Sequence, residues 1–138
     1  EDGSIMMVVA TDAPLGTRNL ERLASRAMMG LARTGSFASN GSGDYVIAFA
    51  THPELRRPRN APEPVSSPLL ANSAMSPLFA ATAEATEEAI YNAILKATTV
   101  SSKRGRLDAI PLAPLGEVLR KYNALGWDRT ILPVITGD

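Results

Sequence analysis

The sequence predicts an α/β protein whose sheet is completed by a second chain or by an upstream part of the same protein. Two short, continuous apolar runs, residues 5–10 and 45–50, are typical of strands that are covered on both faces. A segment with helical spacing of its apolar residues separates them, and two more helical segments follow. Two strands cannot cover both of their own faces, so the sheet needs elements that this chain does not supply.

The first predicted strand ends in turn residues, and a helix is expected to begin between Pro14 and Thr17. Its charged residues fall mostly on the side opposite to its apolar ones. The apolar residues at helical spacing are Leu20, Leu23, Ala24, Ala27, Met28 and Leu31. We expect the helix to stop at Gly35, because glycine commonly follows the last turn of a helix.

The segment from His52 to Pro77 is predicted to be a long ordered loop or an arm that contacts a neighbouring subunit, because its prolines interrupt regular elements. A second helix is expected over about residues 78–98. Its predicted apolar stripe comprises Phe79, Ala83, Ile90, Ala93, Ile94 and Ala97. A basic turn at residues 101–106, a short third helix after Pro114 and an extended tail from Ala124 are expected to complete the chain.

Composition and charge exclude several classes of function. The 138 residues are 45% hydrophobic and 20% charged, which is ordinary for a globular chain. The 14 basic and 14 acidic residues balance, which argues against nucleic-acid and membrane partners because both need a basic surface. The absence of cysteine excludes disulfides, thiolate metal sites and a cysteine nucleophile. The single histidine, His52, excludes a histidine-rich metal site and is interpreted as a structural or surface residue.

No apolar run is long enough to span a bilayer, and no charged-then-apolar leader opens the sequence. Any export signal would lie upstream of these residues. The sequence therefore leaves the compartment open between cytoplasm and periplasm.

Two polar segments, each directly before a predicted strand, are the candidates for chemistry. Asp2-Gly3-Ser4 precedes the first strand and the run from Asn40 to Asp44 precedes the second. If the strands are neighbours, their starts lie side by side, and the hydroxyls of Ser4 and Ser42 meet the carboxylate of Asp44. By composition alone, each segment is also typical of an ordinary loop.

A serine needs a base to act as a nucleophile near neutral pH. Without cysteine, and with His52 in a proline-rich loop, the obvious base for Ser4 is its own α-amino group, released by cleavage of the Gly3–Ser4 bond. An α-amine has an ordinary pKa of roughly 8, which suits proton transfer at working pH. Asp44, acting through Ser42, would hold that amine in position. No cofactor and no metal are implied.

At these residues the sequence resembles the DmpA/BapA family of L-aminopeptidase D-Ala-esterase/amidases and β-aminopeptidases, which are self-processing serine N-terminal-nucleophile hydrolases. The resemblance covers most of the chain to about Leu115 and is specific in order as well as content. The matching segments are DGSI at 2–5, VVATDAPL at 8–15, MGLARTG at 29–35, NGSGDY at 40–45, SPLF at 76–79, EEAIYNA at 87–93, ATTV at 97–100 and LDAIP at 107–111.

The resemblance implies an inactive precursor that cuts itself at Gly3–Ser4 into a larger α chain and a smaller β chain. Residues 1–138 would be the β chain, which forms one domain with the α chain in a four-layer αββα sandwich, and the mature protein would be an oligomer of αβ pairs. Ser4 would be the nucleophile, with Ser42 and Asp44 as its hydrogen-bonding partners. The α chain would supply an oxyanion-hole asparagine and much of the pocket.

The implied activity is the release of N-terminal β-, D- or small L-aminoacyl residues from short peptides, amides or esters through an acyl-enzyme on Ser4. Residues 1–3 precede Ser4 and are expected to be precursor residues upstream of the cut. While they are attached, Ser4 lacks its base. Two alternatives are an amidase of the same family that acts on a specialised metabolite, and a non-catalytic assembly subunit with an unprocessed site.

Overall fold

A computed structural model describes residues 3–60 and 66–125. Its helices and strands, in chain order, are β1 (Met6–Thr11), α1 (Thr17–Arg33), β2 (Tyr45–Ala50), α2 (Met75–Leu95), β3 (Val100–Ser102), β4 (Gly105–Leu107) and α3 (Leu112–Lys121). Short 3₁₀ turns occupy Pro53–Leu55 and Asn72–Ala74. The chain divides into two compact units, Glu1–Asn92 and Ala93–Asp138, which are described separately below.

The first unit is built on a parallel β1–α1–β2 arrangement. β1 and β2 pair from Met6 opposite Tyr45 to Thr11 opposite Ala50. α1 covers one face of this pair, where Met7 packs with Ala27 and Leu31 in a buried cluster. Both strands and the helix between them confirm the sequence predictions, because the apolar runs and the helical spacing of α1 correspond to these elements.

The other face of the β1–β2 pair is exposed in this chain. Met6, Val8 and Ile47 have exposed fractions of 60%, 62% and 52%, although their neighbours along the same strands point toward α1. Large apolar side chains on alternate strand positions form a contiguous patch rather than isolated surface residues. The prediction that a further chain or segment completes the sheet stays a prediction.

α1 ends as its sequence indicates. Thr34 and Gly35 donate backbone hydrogen bonds to the carbonyls of Leu31 and Ala32, and Gly35 has a φ of 99°. This left-handed conformation is accessible to glycine at little cost, which explains why the helix turns away here. The chain then crosses the starts of both strands before it enters β2.

α2 packs against α1 at a close crossing. Gly30 of α1 faces the backbone of Ala83 and the side chain of Thr86, with no room for a Cβ atom between the helices. A second buried cluster of Leu15, Leu23 and Met75 lies under the same pair of helices. Two arginines of α1 make cation–π contacts with Phe79 of α2, with Arg22 at 4.8 Å and Arg26 at 4.2 Å from the ring centroid.

The predicted boundaries and stripe of α2 were partly wrong. The helix begins at Met75 rather than 78, because Pro77 lies in the first turn, where a backbone N–H has no helical partner. It ends at Leu95. Ala83 is buried as predicted, but Thr82 and Thr86 are buried as well. Their hydroxyls donate to the carbonyls four residues earlier, at 2.7 Å each, so threonine is tolerated on an apolar stripe.

The second unit contains a hairpin and a short helix. Residues predicted as a basic turn form β3 and β4, which pair antiparallel, and Gly105, the first residue of β4, has a φ of 132°. α3 begins at Leu112, with Pro114 inside its first turn rather than before the helix. Of the predicted tail, residues 126–138 lie outside the described residues. None of the helices within residues 3–60 and 66–125 has both the length and the hydropathy to cross a membrane.

Candidate active site

The parallel pairing of β1 and β2 brings the two predicted polar segments together. Because the strands start in register, Ser4 and Asp44 stand at the same edge of the sheet, two residues and one residue before their strands. The backbone N–H of Ile5 donates to Asp44 Oδ1 at 3.0 Å and holds the carboxylate there. Tyr45 in turn donates its backbone N–H to the Ile5 carbonyl at 3.2 Å. The backbone ladder therefore extends to the site itself.

The Ser42 hydroxyl stands between the carboxylate and the peptide bond before Ser4. Its Oγ lies 2.7 Å from both carboxylate oxygens of Asp44 and 2.8 Å from the carbonyl oxygen of Gly3. A hydroxyl carries one proton, so it donates to one of these acceptors at a time. The same atom can therefore serve the carboxylate in one state and the Gly3 carbonyl in another.

Ser4 Oγ accepts a hydrogen bond from the backbone N–H of Gly43 at 2.9 Å. Because Ser4 Oγ is the acceptor in this hydrogen bond, its own proton stays available for a base. The Gly43 N–H also points at the oxygen that becomes negative when the serine is deprotonated. Ser42 itself is held by its backbone N–H, which donates to the Ser39 carbonyl at 2.9 Å. The loop from α1 to β2 thus supplies one backbone donor and one hydroxyl to the segment around Ser4.

These groups line an open pocket of about 360 Å³. Its walls are residues 3–5, Leu31, residues 35–39, Ser42 and Asp44. Leu31 is 7% exposed, so the inner wall is an apolar side chain of the buried cluster under the sheet. The pocket therefore combines a polar side, with the two serines and the carboxylate, and an apolar side.

His52 lies elsewhere. Its Nδ1 accepts the backbone N–H of Glu54 at 3.3 Å and caps the 3₁₀ turn after β2, which agrees with its interpretation as a structural residue. Within residues 3–60 and 66–125, no group of three or more histidines and carboxylates is placed to hold a metal ion. The polar cluster around Ser4 is thus a site built from hydroxyl, carboxylate and backbone groups.

The sequence profile of peptidase family S58 matches residues 1–107, which include every residue of this cluster. The chain belongs to this peptidase family. The resemblance to the DmpA/BapA aminopeptidases, made on the segments around Ser4 and Asp44, is thereby confirmed.

Individual relatives agree with the family assignment. The chain is 39% identical over 125 residues to the β-peptidyl aminopeptidase BapA of Sphingosinicella microcystinivorans, an alignment that covers 90% of this chain and 31% of BapA. A crystal structure of a Pyrococcus horikoshii OT3 protein is 44% identical and superposes with a TM-score of 0.76 over 85% of this chain and 33% of that one.

The L-aminopeptidase D-Ala-esterase/amidase of Ochrobactrum anthropi, described as a prototype serine aminopeptidase with a variant Ntn hydrolase fold, is 31% identical. It superposes with a TM-score of 0.77 over 87% of this chain and 34% of its own. The chain thus spans about a third of the length of each of these three relatives. Its mixed helix and sheet arrangement matches a part of a DmpA-type protein.

Part of the pocket wall was not among the predicted site residues. Residues 35–39, between the predicted end of the helix and the polar run from Asn40, line the pocket beside Ser4. The available signal was Phe37, the one aromatic residue among the small and polar residues of that connection. An aromatic side chain in such a segment needs an explanation, because nothing local in the sequence buries it.

Proposed function

We propose that this chain is the nucleophile-bearing part of a self-processing serine aminopeptidase, which cuts its precursor at Gly3–Ser4 and then releases N-terminal residues from short peptides, amides or esters. The observation that carries the proposal is the position of the Ser42 hydroxyl, 2.8 Å from the Gly3 carbonyl oxygen and 2.7 Å from the Asp44 carboxylate. This hydroxyl is placed to act on the bond that must break.

Self-cleavage begins when Ser4 Oγ attacks the carbonyl carbon of Gly3. The carbonyl oxygen gains negative charge as the new C–O bond forms, the proton of Oγ passes to the Ser4 nitrogen, and the C–N bond to that nitrogen then breaks. The product is an ester between Gly3 and Ser4 Oγ, with a free amine on Ser4. Water hydrolyses the ester, so that the upstream segment ends at the Gly3 carboxylate and the downstream chain begins at Ser4.

Ser42 acts on the oxygen that becomes charged. In the uncut chain the Asp44 carboxylate is the stronger acceptor for the Ser42 proton, because it carries a full charge. As the Gly3 oxygen becomes negative, it competes for the same proton, and the hydroxyl can turn toward it without moving its own oxygen. Asp44 keeps its hydrogen bond from the Ile5 N–H throughout. Donors placed in advance at a developing oxyanion are among the largest contributions to catalysis.

Substrate hydrolysis uses the amine that self-cleavage releases. The α-amino group of Ser4 takes the proton from Oγ as the serine attacks the substrate carbonyl, and it returns the proton to the leaving amine. The resulting acyl-enzyme is cleared by water in a second attack of the same kind. After the cut, the Ser42–Asp44 pair stands beside the new amine and fixes its orientation.

The rest of the protein is proposed to be an N-terminal α chain made from the same precursor. Two observations support this: the chain spans about a third of its relatives, and the second face of the β1–β2 pair exposes Met6, Val8 and Ile47. The α chain would lay its own sheet on this face and complete an αββα sandwich, with both chains contributing to one domain. Oligomers of such αβ pairs are part of the same proposal.

The test is the intact mass and N-terminal sequence of the chain after expression of the full-length precursor. We expect a chain that begins at Ser4 and a co-purifying upstream fragment, together with hydrolysis of β-, D- or small L-aminoacyl amides. A downstream chain that retains Gly3 after prolonged incubation, with no aminopeptidase activity, would favour the non-catalytic subunit instead.

Replacing Ser42 by alanine should slow self-cleavage by about 10²- to 10³-fold, the usual cost of removing one oxyanion donor. The measurement is the fraction of cut precursor over time, followed by mass. Ser42→Thr is the matched control, because it keeps a hydroxyl on the same backbone and should retain a large part of the rate. Equal rates in Ser42→Ala and the native precursor would show that Ser42 is not the donor.

Introducing a charge on the open sheet face should separate the two chains. Ile47→Glu places a carboxylate where the proposed α chain packs, and burying an unpaired charge is costly. We expect the upstream fragment to be lost on size-exclusion chromatography or the protein to become insoluble. Met29→Glu, at an exposed position of α1 on the other side of the sheet, is the control and should leave the complex intact. An intact complex in Ile47→Glu would contradict the proposed packing.

A further inference from the structure

The connection between α1 and β2 carries a feature that the reaction around Ser4 does not use. Phe37 is 86% exposed, yet it lines the pocket that contains Ser4. Isolated apolar residues on a surface are common and need no explanation. An aromatic ring that lines the same pocket as the proposed nucleophile is different, because a substrate bound in that pocket can contact it.

The backbone around Phe37 is held in an unusual conformation. The next residue, Ala38, has a φ of 50°, in the left-handed region that side chains other than glycine, asparagine and aspartate seldom adopt. Its backbone N–H donates to the Ser36 hydroxyl at 3.3 Å. Such conformations persist where the surrounding structure imposes them, and they are concentrated at binding and catalytic sites.

Both ends of this segment are anchored, so Phe37 is presented from a defined position. On one side, Gly35 donates its backbone N–H to Ala32 at the end of α1, at 3.1 Å. On the other side, the Ser39 carbonyl accepts the backbone N–H of Ser42, at 2.9 Å. Ser42 is the residue that contacts the carbonyl before Ser4, and Phe37 is connected to it through the backbone of Ala38 and Ser39 and this hydrogen bond.

Among residues 3–60 and 66–125, none occupies the space where a side chain on Gly3 would lie. Gly3 lines the same pocket, and a Cβ atom built on it meets no atom of these residues within 4 Å. In the precursor, Gly3 is the acyl residue of the bond that Ser4 attacks, so it marks where the acyl residue of a substrate lies. The large apolar side chains that line this pocket are Ile5, Leu31 and Phe37, and Phe37 is the most exposed of the three.

We propose that Phe37 selects substrates by packing against an apolar side chain on the residue that the enzyme releases. This inference rests on the proposed function and adds to it a specificity-determining residue and a substrate class, aminoacyl compounds with aliphatic or aromatic side chains. Residues without a side chain gain nothing from the ring. A single methylene group bound in an apolar pocket changes kcat/KM by about 10- to 200-fold.

The test is kcat/KM of the processed full-length protein and its Phe37→Ala variant on p-nitroanilides. Three series of substrates are used, with β-, D- or L-aminoacyl groups. In each series the leucyl and phenylalanyl compounds are compared with a compound that has no side chain, which is β-alanyl in the β-series and glycyl in the other two. Phe37→Ala should lower kcat/KM for the apolar members at least about 10-fold and for the side-chain-free member by less than about 2-fold. Phe37→Leu should recover part of the loss, and Met29→Ala, an exposed apolar residue outside the pocket, should match the native protein.

Three results would overturn the inference. Equal losses for all substrates, or loss of the co-purifying upstream fragment, would identify Phe37 as a contact to the other chain. A kcat/KM in Phe37→Ala that equals the native value for every substrate, with activity that still requires Ser4, would reject the inference and leave the proposed function standing. Hydrolysis of no series by the processed native protein would reject the proposed function and this inference with it.

Discussion

Replacing Ser4 by alanine is expected to leave the full-length precursor as one uncut chain and to lower aminoacyl amide hydrolysis by at least about 10³-fold, since removal of a serine nucleophile can cost far more than that. The physical reason is that one atom, Ser4 Oγ, is assigned both reactions. Its loss removes the attacking group in the precursor and also the base, because the α-amine of residue 4 is never released. The measurement is intact mass, with p-nitroanilide hydrolysis on the same preparation.

Ser25→Ala provides the matched control for this prediction. Ser25 is an exposed serine on α1 whose hydroxyl donates to the Glu21 carbonyl at 3.0 Å, away from the pocket. It should process and hydrolyse at the native rate. Persistence of either self-cleavage or hydrolysis in Ser4→Ala would remove Ser4 from its assigned role, and persistence of both would point to a different site in the upstream part of the protein.

Gly30→Ala is expected to destabilise the folded protein by about 1–3 kcal/mol, the usual cost of forcing extra volume into a packed contact. The added Cβ would overlap the carbonyl oxygen of Ala83 and lie 2.7 Å from Thr86 Cβ. Neither atom can give way as the end of a flexible side chain could, so α1 and α2 must separate. Because Leu31, the next residue, forms the inner wall of the pocket, we also expect weaker activity at temperatures where the protein remains folded.

The change in stability is measured as the urea midpoint and the apparent melting temperature of the full-length protein. Gly116→Ala in α3 is the control, because the nearest atoms to its added Cβ belong to the Arg120 side chain at 3.7 Å. There alanine should be neutral or stabilising by up to about 1 kcal/mol, since it is the better helix former. If both variants shift stability alike, the α1–α2 contact is not as tight as the structure has it.

Much of the fold and of the candidate site could be read from local patterns. The apolar runs of β1 and β2 and the helical spacing of α1 are properties of short windows, and they correspond to the elements observed. The polar segments that contain Ser4 and Asp44 were placed before those strands by sequence order alone. Their meeting required only that the strands be parallel neighbours, which β1–α1–β2 connectivity favours.

Boundaries set by proline were predicted less well. Pro77 and Pro114 both lie inside the first turn of a helix, whereas the sequence analysis placed each helix after its proline. The reason is local and general: the first turn has no use for the missing N–H, so proline there breaks nothing. The buried Thr82 and Thr86 were also missed, because their hydroxyl protons are satisfied within the helix, where a hydropathy pattern does not show it.

The sequence by itself determined the type of β1, β2 and the three helices and the identity of the polar groups around Ser4, because these depend on residue type and spacing. Only the tertiary structure decided which acceptors the Ser42 hydroxyl reaches, that Gly30 has no space for a side chain, and that Phe37 stands at the rim of the pocket. Those facts depend on distances between segments far apart in the chain, which are set by the pairing of β1 with β2 and the packing of α1 against α2. The pattern of residues within one helix or strand carries no information about its distance from another element, because that distance is set only when the two pack together.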